Sequence, residues 1–255
     1  MDMHLSELDQ HFTLPKTRKV GADRPIAWLK MGLADLLQHP GPSLTYGGII
    51  TAVGWLLLSL VDQHGHFFAT LITGFLLLSP LAAAGIYELT SEREEGRETS
   101  FMQSLHDAGK NLSQVAFLGV ILGMVAIAWE RVSAILFALL YGGQVPAGMP
   151  LIEAFTGEYL NFTLVWGAAG FLLACFVFAF TAVSIPMLAD REVDSVTAMM
   201  TSLRAVAENI STMAIWAALI VILTAIGFAT YLVGLIVIFP LLGHATWYAY
   251  KEMVE

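Results

Sequence analysis

His244 stands one helical turn before Trp247 and Tyr248, near the end of the last apolar stretch. An imidazole there could hold a haem iron from inside a helix bundle; the plainer expectation is an interfacial histidine bonded to backbone. Glu130 and Arg131 follow Trp129 at the end of an earlier apolar stretch. That pair could bind an anion or another span, and is expected to be an interface anchor with a snorkelling arginine. His64 and His66 are spaced to share a metal, but no third ligand is placed near them, so no metal site is expected. Cys175 is the single cysteine, which excludes an internal disulfide and makes it a small core residue. The acidic run from Glu92 to Glu98 reads as a solvated loop. The chain contains no glycine-rich phosphate loop, HExxH, CxxC or GxSxG. No catalytic residue, cofactor or metal is therefore expected.

The elements that would hold these residues are set by composition. Apolar residues make up 57% of the chain and charged ones 13%, and the mean hydropathy is strongly positive, which places it outside the soluble globular range. One water-facing core could not hide that much apolar surface; a bilayer can. The net charge of −9 excludes a nucleic-acid partner and a polybasic lipid-docking patch, leaving the bilayer and other membrane subunits as expected partners. The first two dozen residues contain no apolar stretch, so a cleavable signal peptide is not expected.

Six stretches approach the roughly 20 apolar residues needed to cross hydrocarbon. They run from about Leu44 to Val61, Phe67 to Tyr87, Leu112 to Glu130, Phe162 to Ile185, Ile210 to Ile226 and Ala229 to Ala249, the last two forming a hairpin around Gly227. The expected fold is an all-α membrane bundle of six transmembrane helices. Residues 1–43 would be a cytoplasmic segment with an amphipathic helix, 44–250 the transmembrane domain and 251–255 a cytoplasmic tail. The apolar run from Val132 to Tyr141 either extends span three or lies on the outer surface, ahead of a turn through Gly142, Gly143, Pro146, Gly148 and Pro150. With an even number of spans, every Lys and Arg except Arg131 falls on one side, which makes that side cytoplasmic.

The cytoplasmic connections repeat. Glu92-Arg93-Glu94 precedes Ser104-Leu105 and Asn111, and Asp190-Arg191-Glu192 precedes Ser202-Leu203 and Asn209 at identical spacing. Gly32-Leu33 and His39 form a looser third copy, and Pro80, Pro186 and Pro240 mark the even-numbered spans. Each connection carries an apolar stripe at helical spacing: Ile26, Leu29, Leu33 and Leu36; Phe101, Leu105, Ala108 and Leu112; Val196, Met199, Leu203 and Ile210. The repeated unit is an amphipathic helix followed by a two-helix hairpin, the apolar stripe turned to lipid or to the bundle. Ser91 with Glu94 and Ser100 with Gln103 have capping-box spacing. Gly119 with Gly123, and Gly170 with Ala174, are candidate close-contact faces.

The strings FPLLGHATWYAYKEMV (Phe239 to Val254) and SIPMLADREVDSVTAMMTSLRAV (Ser184 to Val206) are distinctive. From about Val20 onward the chain resembles a family of predicted bacterial integral membrane proteins of unknown function. The resemblance implies a bacterial inner membrane and marks Pro186, Asp190, Asp194, Ser202, Asn209, Pro240, His244, Trp247 and Tyr250 as positions to examine. Some members carry the label of cytochrome c oxidase subunit I; the histidine set such catalysis needs is missing, since only His244 lies in or at a span. The spans also lack the ionisable groups of a proton relay. The expected function is a non-catalytic accessory or assembly partner of a larger membrane complex, with a carrier or channel for a lipid or small neutral solute as the alternative.

The orientation is open to a direct check. A Gly96→Cys substitution in a Cys175→Ala chain should stay unlabelled by a membrane-impermeant maleimide in intact cells and react in inverted vesicles. Labelling from outside would reverse the assignment.

Overall fold

The computed structural model describes residues 14–63, 74–75, 79, 81–110, 112–140 and 159–255. His64, His66, Pro80, Asn111, most of span two and the glycine- and proline-rich turn after Tyr141 lie outside these described residues. Within them the chain is helical, save for one isolated bridge between Thr17 and Val254. The helices are α1 (Arg24–Gln38), α2 (Pro40–Gln63), α3 (Ala84–Glu94), α4 (Phe101–Lys110), α5 (Leu112–Leu140), α6 (Leu160–Thr181), α7 (Ser184–Asp190), α8 (Ser195–Glu208), α9 (Ile210–Ala229) and α10 (Leu235–Met253). Four described stretches are long and apolar enough to cross a membrane: Pro40–Leu60, Ser113–Leu140, Leu160–Asp190 and Ile210–Ala229.

The repeat is visible in the break points. His39 separates α1 from α2 and Asn209 separates α8 from α9, each a single residue outside helical geometry. Pro40 causes the first break, because a proline disfavours the helical region for the residue before it. At the second, the Asn209 side chain accepts from Val20 N at 2.8 Å and donates to Arg18 O at 2.9 Å. It thereby pins the N-terminal strap across the helix junction. The strap also pairs with the C-terminus, through Arg18 N to Met253 O at 2.8 Å and Glu255 N to Lys16 O at 2.9 Å. Both described ends meet at one end of the bundle.

The prolines act where their chemistry requires. Pro186 stands in the first turn of α7, after a break at Ala182 and Val183. Ser202 bridges that break, accepting from Val183 N at 3.1 Å and donating to Ala179 O at 2.8 Å. Pro240 lies inside α10, where its missing N–H leaves the Ile236 carbonyl without a helical partner. Gly47 of α2 packs directly against that carbonyl, and Gly32 of α1 packs where an added Cβ would sit 2.7 Å from Ala245 N. These two glycines bring α1 and α2 onto the backbone of α10. Gly123 meets nothing within 4 Å, while Gly119 and Gly170 each meet only a side chain, Leu81 and Trp129.

Several expectations change. α5 runs unbroken to Leu140, so the stretch from Val132 to Leu140 extends span three. The last hairpin turns at Thr230–Gly234 rather than at Gly227, with Tyr231 and Leu232 at φ 53° and 68°. Neither residue favours that backbone; α2 holds it, Trp55 Nε1 donating to Tyr231 O at 2.9 Å and Thr51 Oγ1 to Leu232 O at 3.2 Å. Gly227 instead admits the Leu235 side chain. Ser91 is inside α3 and caps nothing, and Gln103 bonds Asp107 at 3.0 Å rather than closing a box with Ser100. The real cap is Asp194, which accepts from Val196 N at 3.0 Å and Thr197 N at 2.9 Å. Cys175 is exposed on α6, not buried in a core.

The connecting helices turn small and polar residues inward. α1 buries Trp28, Gly32, Asp35 and Leu36, α4 buries Ser104 and Asp107, and α8 buries Ala198, Thr201, Ser202 and Ala205. Other apolar side chains on them, Ile26, Leu33, Met102, Leu105, Val196 and Met200, face outward. That is the arrangement lipid rewards, and it leaves the inward polar groups to one another.

Candidate functional site

The polar end of the bundle gathers around α10. His244 follows Pro240 by one turn and is buried. Ser43, in the first turn of α2, lies 2.9 Å from His244 Nε2, and Thr90 of α3 lies 2.6 Å from Nδ1. The Thr90 hydroxyl has one hydrogen, and it donates that to Ile86 O at 3.1 Å. With that hydrogen on Ile86 O, Nδ1–H donates to Thr90, and in a neutral ring Nε2 accepts from Ser43. Two side-chain hydroxyls thus hold the imidazole. The expected backbone bond is not what holds it, because α2 and α3 approach close enough to supply hydroxyls. Both ring nitrogens are engaged, which leaves neither free for a haem iron.

Beside it lies a buried ion pair. Asp35 of α1 is 4% exposed, pairs with Arg93 of α3 and accepts from the Tyr248 hydroxyl at 2.9 Å. Arg93 also donates to the Tyr248 oxygen at 2.8 Å and to Gln38 Oε1 at 3.3 Å. His244 Nδ1 stands 3.9 Å from Asp35 Oδ2. Burial pushes the Asp35 carboxyl up to about 6, against the opposing pull of Arg93 and the Tyr248 hydroxyl.

Two further clusters flank this centre. Asp190 accepts from the Tyr250 hydroxyl at 2.5 Å and pairs with Lys251 at 3.2 Å, while Arg191 donates to the Glu255 carbonyl at 2.6 Å. Trp247 Nε1 donates to Glu94 Oε2 at 3.1 Å, and its ring lies under the Lys251 ammonium at 5.4 Å. On the other flank Asp107 pairs with Lys110 at 2.7 Å and Arg97 at 3.5 Å. Glu92 is fully buried; Oε2 accepts from Ser100 N at 3.5 Å and Oε1 has no partner. The expected solvated acidic loop therefore begins only after Glu92. Burial raises the Glu92 carboxyl, and burial with repulsion from Asp107 and Glu92 raises Glu88 to about 7.

Of the residues singled out by sequence, His244, Trp247 and Asp190 join this network. Pro186, Pro240 and Asn209 shape the helices that carry it. Glu130 and Arg131 lie far along α5 and pair with each other at 3.3 Å. Sequence reasoning missed Asp35, Ser43, Thr90, Arg93 and Tyr248. A signal existed for Asp35: Trp28, Gly32 and Asp35 follow the i, i+4, i+7 spacing of one helix face. Arg93 sat inside the repeated Glu-Arg-Glu string and was read as solvated.

Apart from Glu92 Oε1, the fully buried side-chain polar atoms among the described residues find polar partners. Among the described residues no cluster of three or more His, Cys, Asp or Glu could hold a metal. Below the network the described helices line a cavity of about 180 Å³, beside Ile50, Tyr87, Phe178, Trp216, Leu235 and Thr246.

A pH dependence follows from Asp35 and Glu88. Both bind protons more tightly folded than unfolded, where they titrate near 3.8 and 4.5. Their stabilisation is complete below those values and is lost as pH rises through about 6 and about 7. In detergent, Tm should fall by roughly 3 °C or more between pH 5.5 and 8, and Glu88→Gln should remove most of that slope. A Tm that rises across this window would contradict the assignment.

No curated protein and no solved structure matches the chain. Residues 67–190 match the model of a family described as "Predicted integral membrane protein (DUF2189)". The matched stretch includes Pro186 and Asp190 and ends before Asn209, Pro240, His244 and Trp247. With four described stretches suited to crossing a bilayer, this is a multi-pass integral membrane protein, similar from residue 67 to residue 190 to a family of predicted membrane proteins of unknown function.

Proposed function

We propose that the chain is a six-span protein of a bacterial inner membrane, with both termini cytoplasmic, and that it acts without catalysis as an accessory or assembly partner of a larger membrane complex. The count adds Phe67 to Tyr87 and Leu235–Met253 to the four apolar stretches already named. The orientation draws on the cation asymmetry, and the pairing of the N-terminal strap with the C-terminus agrees with an even count.

The observation that carries the partner reading is α5. Its 29 residues extend about 43 Å at 1.5 Å per residue, against about 30 Å of hydrocarbon. Glu130 and Arg131 come about 27 Å from its start. If α5 stands upright, the charged pair reaches the far boundary and the turns beyond it leave the hydrocarbon. A tilt near 40° draws the pair inside, which costs several kcal/mol. The upright position wins. Ile135 and Leu139, 57% and 76% exposed, then form an apolar face beyond the lipid, the kind of surface another protein covers.

A carrier of a lipid or small neutral solute is the second reading, and the central cavity is what favours it. Its walls carry no charged residue to couple transport to an ion, and flat uptake by proteoliposomes across such solutes would set it aside.

Affinity purification from native membranes tests the partner reading. A second membrane protein should copurify in stoichiometric amount, and Ile135→Ser with Leu139→Ser should release it while Tm stays within about 1 °C. A lone monomer by native mass spectrometry in mild detergent would contradict it.

A further inference from the structure

The central cavity has a definite shape and chemistry. Along α10 it reaches from Leu235 to Thr246, about 16 Å of helix. That length with a volume of about 180 Å³ makes it a slot. Apolar cavities near 150 Å³ stay dry and take up benzene, so this one has room for an apolar guest, and its elongation suits a chain better than a ring.

The walls are more apolar than their composition suggests. Thr181 and Thr246 donate their hydroxyls to Val177 O at 2.8 Å and Leu242 O at 2.7 Å, which leaves their methyl groups for the cavity. Phe178, Trp216, Ile220 and Phe239 supply most of the rest, and no charged side chain is present among the described lining residues. An ion would find no opposite charge among the described walls to replace its water.

Three further hydroxyls line the slot, those of Ser79, Tyr87 and Thr224. Tyr87 lines the slot at its polar end, stacked on Trp247 with ring centroids 6.4 Å apart. It is 3% exposed, and its hydroxyl makes no hydrogen bond among the described residues. That leaves the hydroxyl available to donate to whatever fills the slot.

We propose that the cavity holds one acyl chain of a bilayer phospholipid, whose ester carbonyl accepts a hydrogen bond from Tyr87. The slot lies within the depth of the apolar helices, and Tyr87 lies toward the polar network, where the ester region of a phospholipid would meet it. The bilayer supplies such chains at higher concentration than any other apolar solute. A resident lipid requires no transport, so this site stands independently of both readings above.

The test uses the full chain in vesicles containing a phospholipid with a diazirine on its acyl chain, photolysed and mapped by peptide mass spectrometry. On α9, Ile220 and Thr224 line the slot while Val221 and Ile222 are 66% and 56% exposed on the outside. Label should appear on both sets. Thr224→Phe should lower the inner label about tenfold, with the outer label unchanged reporting an intact, inserted fold. An ester-linked probe should outcompete its ether-linked analogue about fivefold, the size of one neutral hydrogen bond, and Tyr87→Phe should abolish that preference. Outer label without inner label in the wild-type chain would overturn the site, and equal labelling by ester and ether probes would overturn the role of Tyr87.

Discussion

The polar end of this protein depends on how closely α10 can approach α1 and α2. Pro240 frees the Ile236 carbonyl, and Gly47 lets α2 lie against it. One turn beyond Pro240, Gly32 gives α1 the same access to the α10 backbone. Any side chain at either glycine would push its helix away. That distance decides whether Asp35 of α1 reaches Tyr248, and whether Ser43 of α2 reaches His244. Buried ion pairs contribute little net stability and lose much when one partner is removed. The Asp35–Arg93 pair is therefore better seen as a register lock: it forms only when α1, α3 and α10 are all in place.

Much of the architecture was legible because a membrane simplifies the problem. Apolar length located the four described stretches suited to crossing a bilayer, and the recurring positions at His39 and Asn209 fell at helix junctions. The direction in which the connecting helices face was not legible. Periodicity showed that Ile26, Leu29, Leu33 and Leu36 share a stripe, but a stripe has the same period whether it meets water or lipid outside. In the structure Ile26 and Leu33 face out while Trp28, Gly32 and Asp35 face in. Leu36 of the stripe is buried beside them, so the inward face mixes apolar and polar residues, and Asp35 went unremarked with it. The turn at Thr230–Gly234 was missed for another reason. It places non-glycine residues at positive φ, which only the grip of Trp55 and Thr51 sustains.

Satisfied polar groups and an apolar interior divide the molecule between two roles. His244 has both nitrogens bonded, Asp35 is paired, and Asp190 is shared between Tyr250 and Lys251. These bonds rigidify the end of the bundle where the N-terminal strap and the C-terminus meet. The apolar portion below keeps a slot and broad outward faces on α5 and α9. A rigid cap above an apolar receptive body is a sensible design for a protein that holds lipid or another subunit, and the proposed roles use those surfaces.

The approach of α2 to α10 is the claim on which this picture stands. It is tested most directly by comparing Gly47→Ala with Gly123→Ala, whose added methyl meets nothing within 4 Å. Unfolding free energies in the same detergent should fall by about 1–3 kcal/mol for Gly47→Ala, the usual cost of overpacking. Gly123→Ala should stay within about 0.5 kcal/mol of the parent chain. Equal stability of the two variants would mean that α2 and α10 do not meet backbone to backbone.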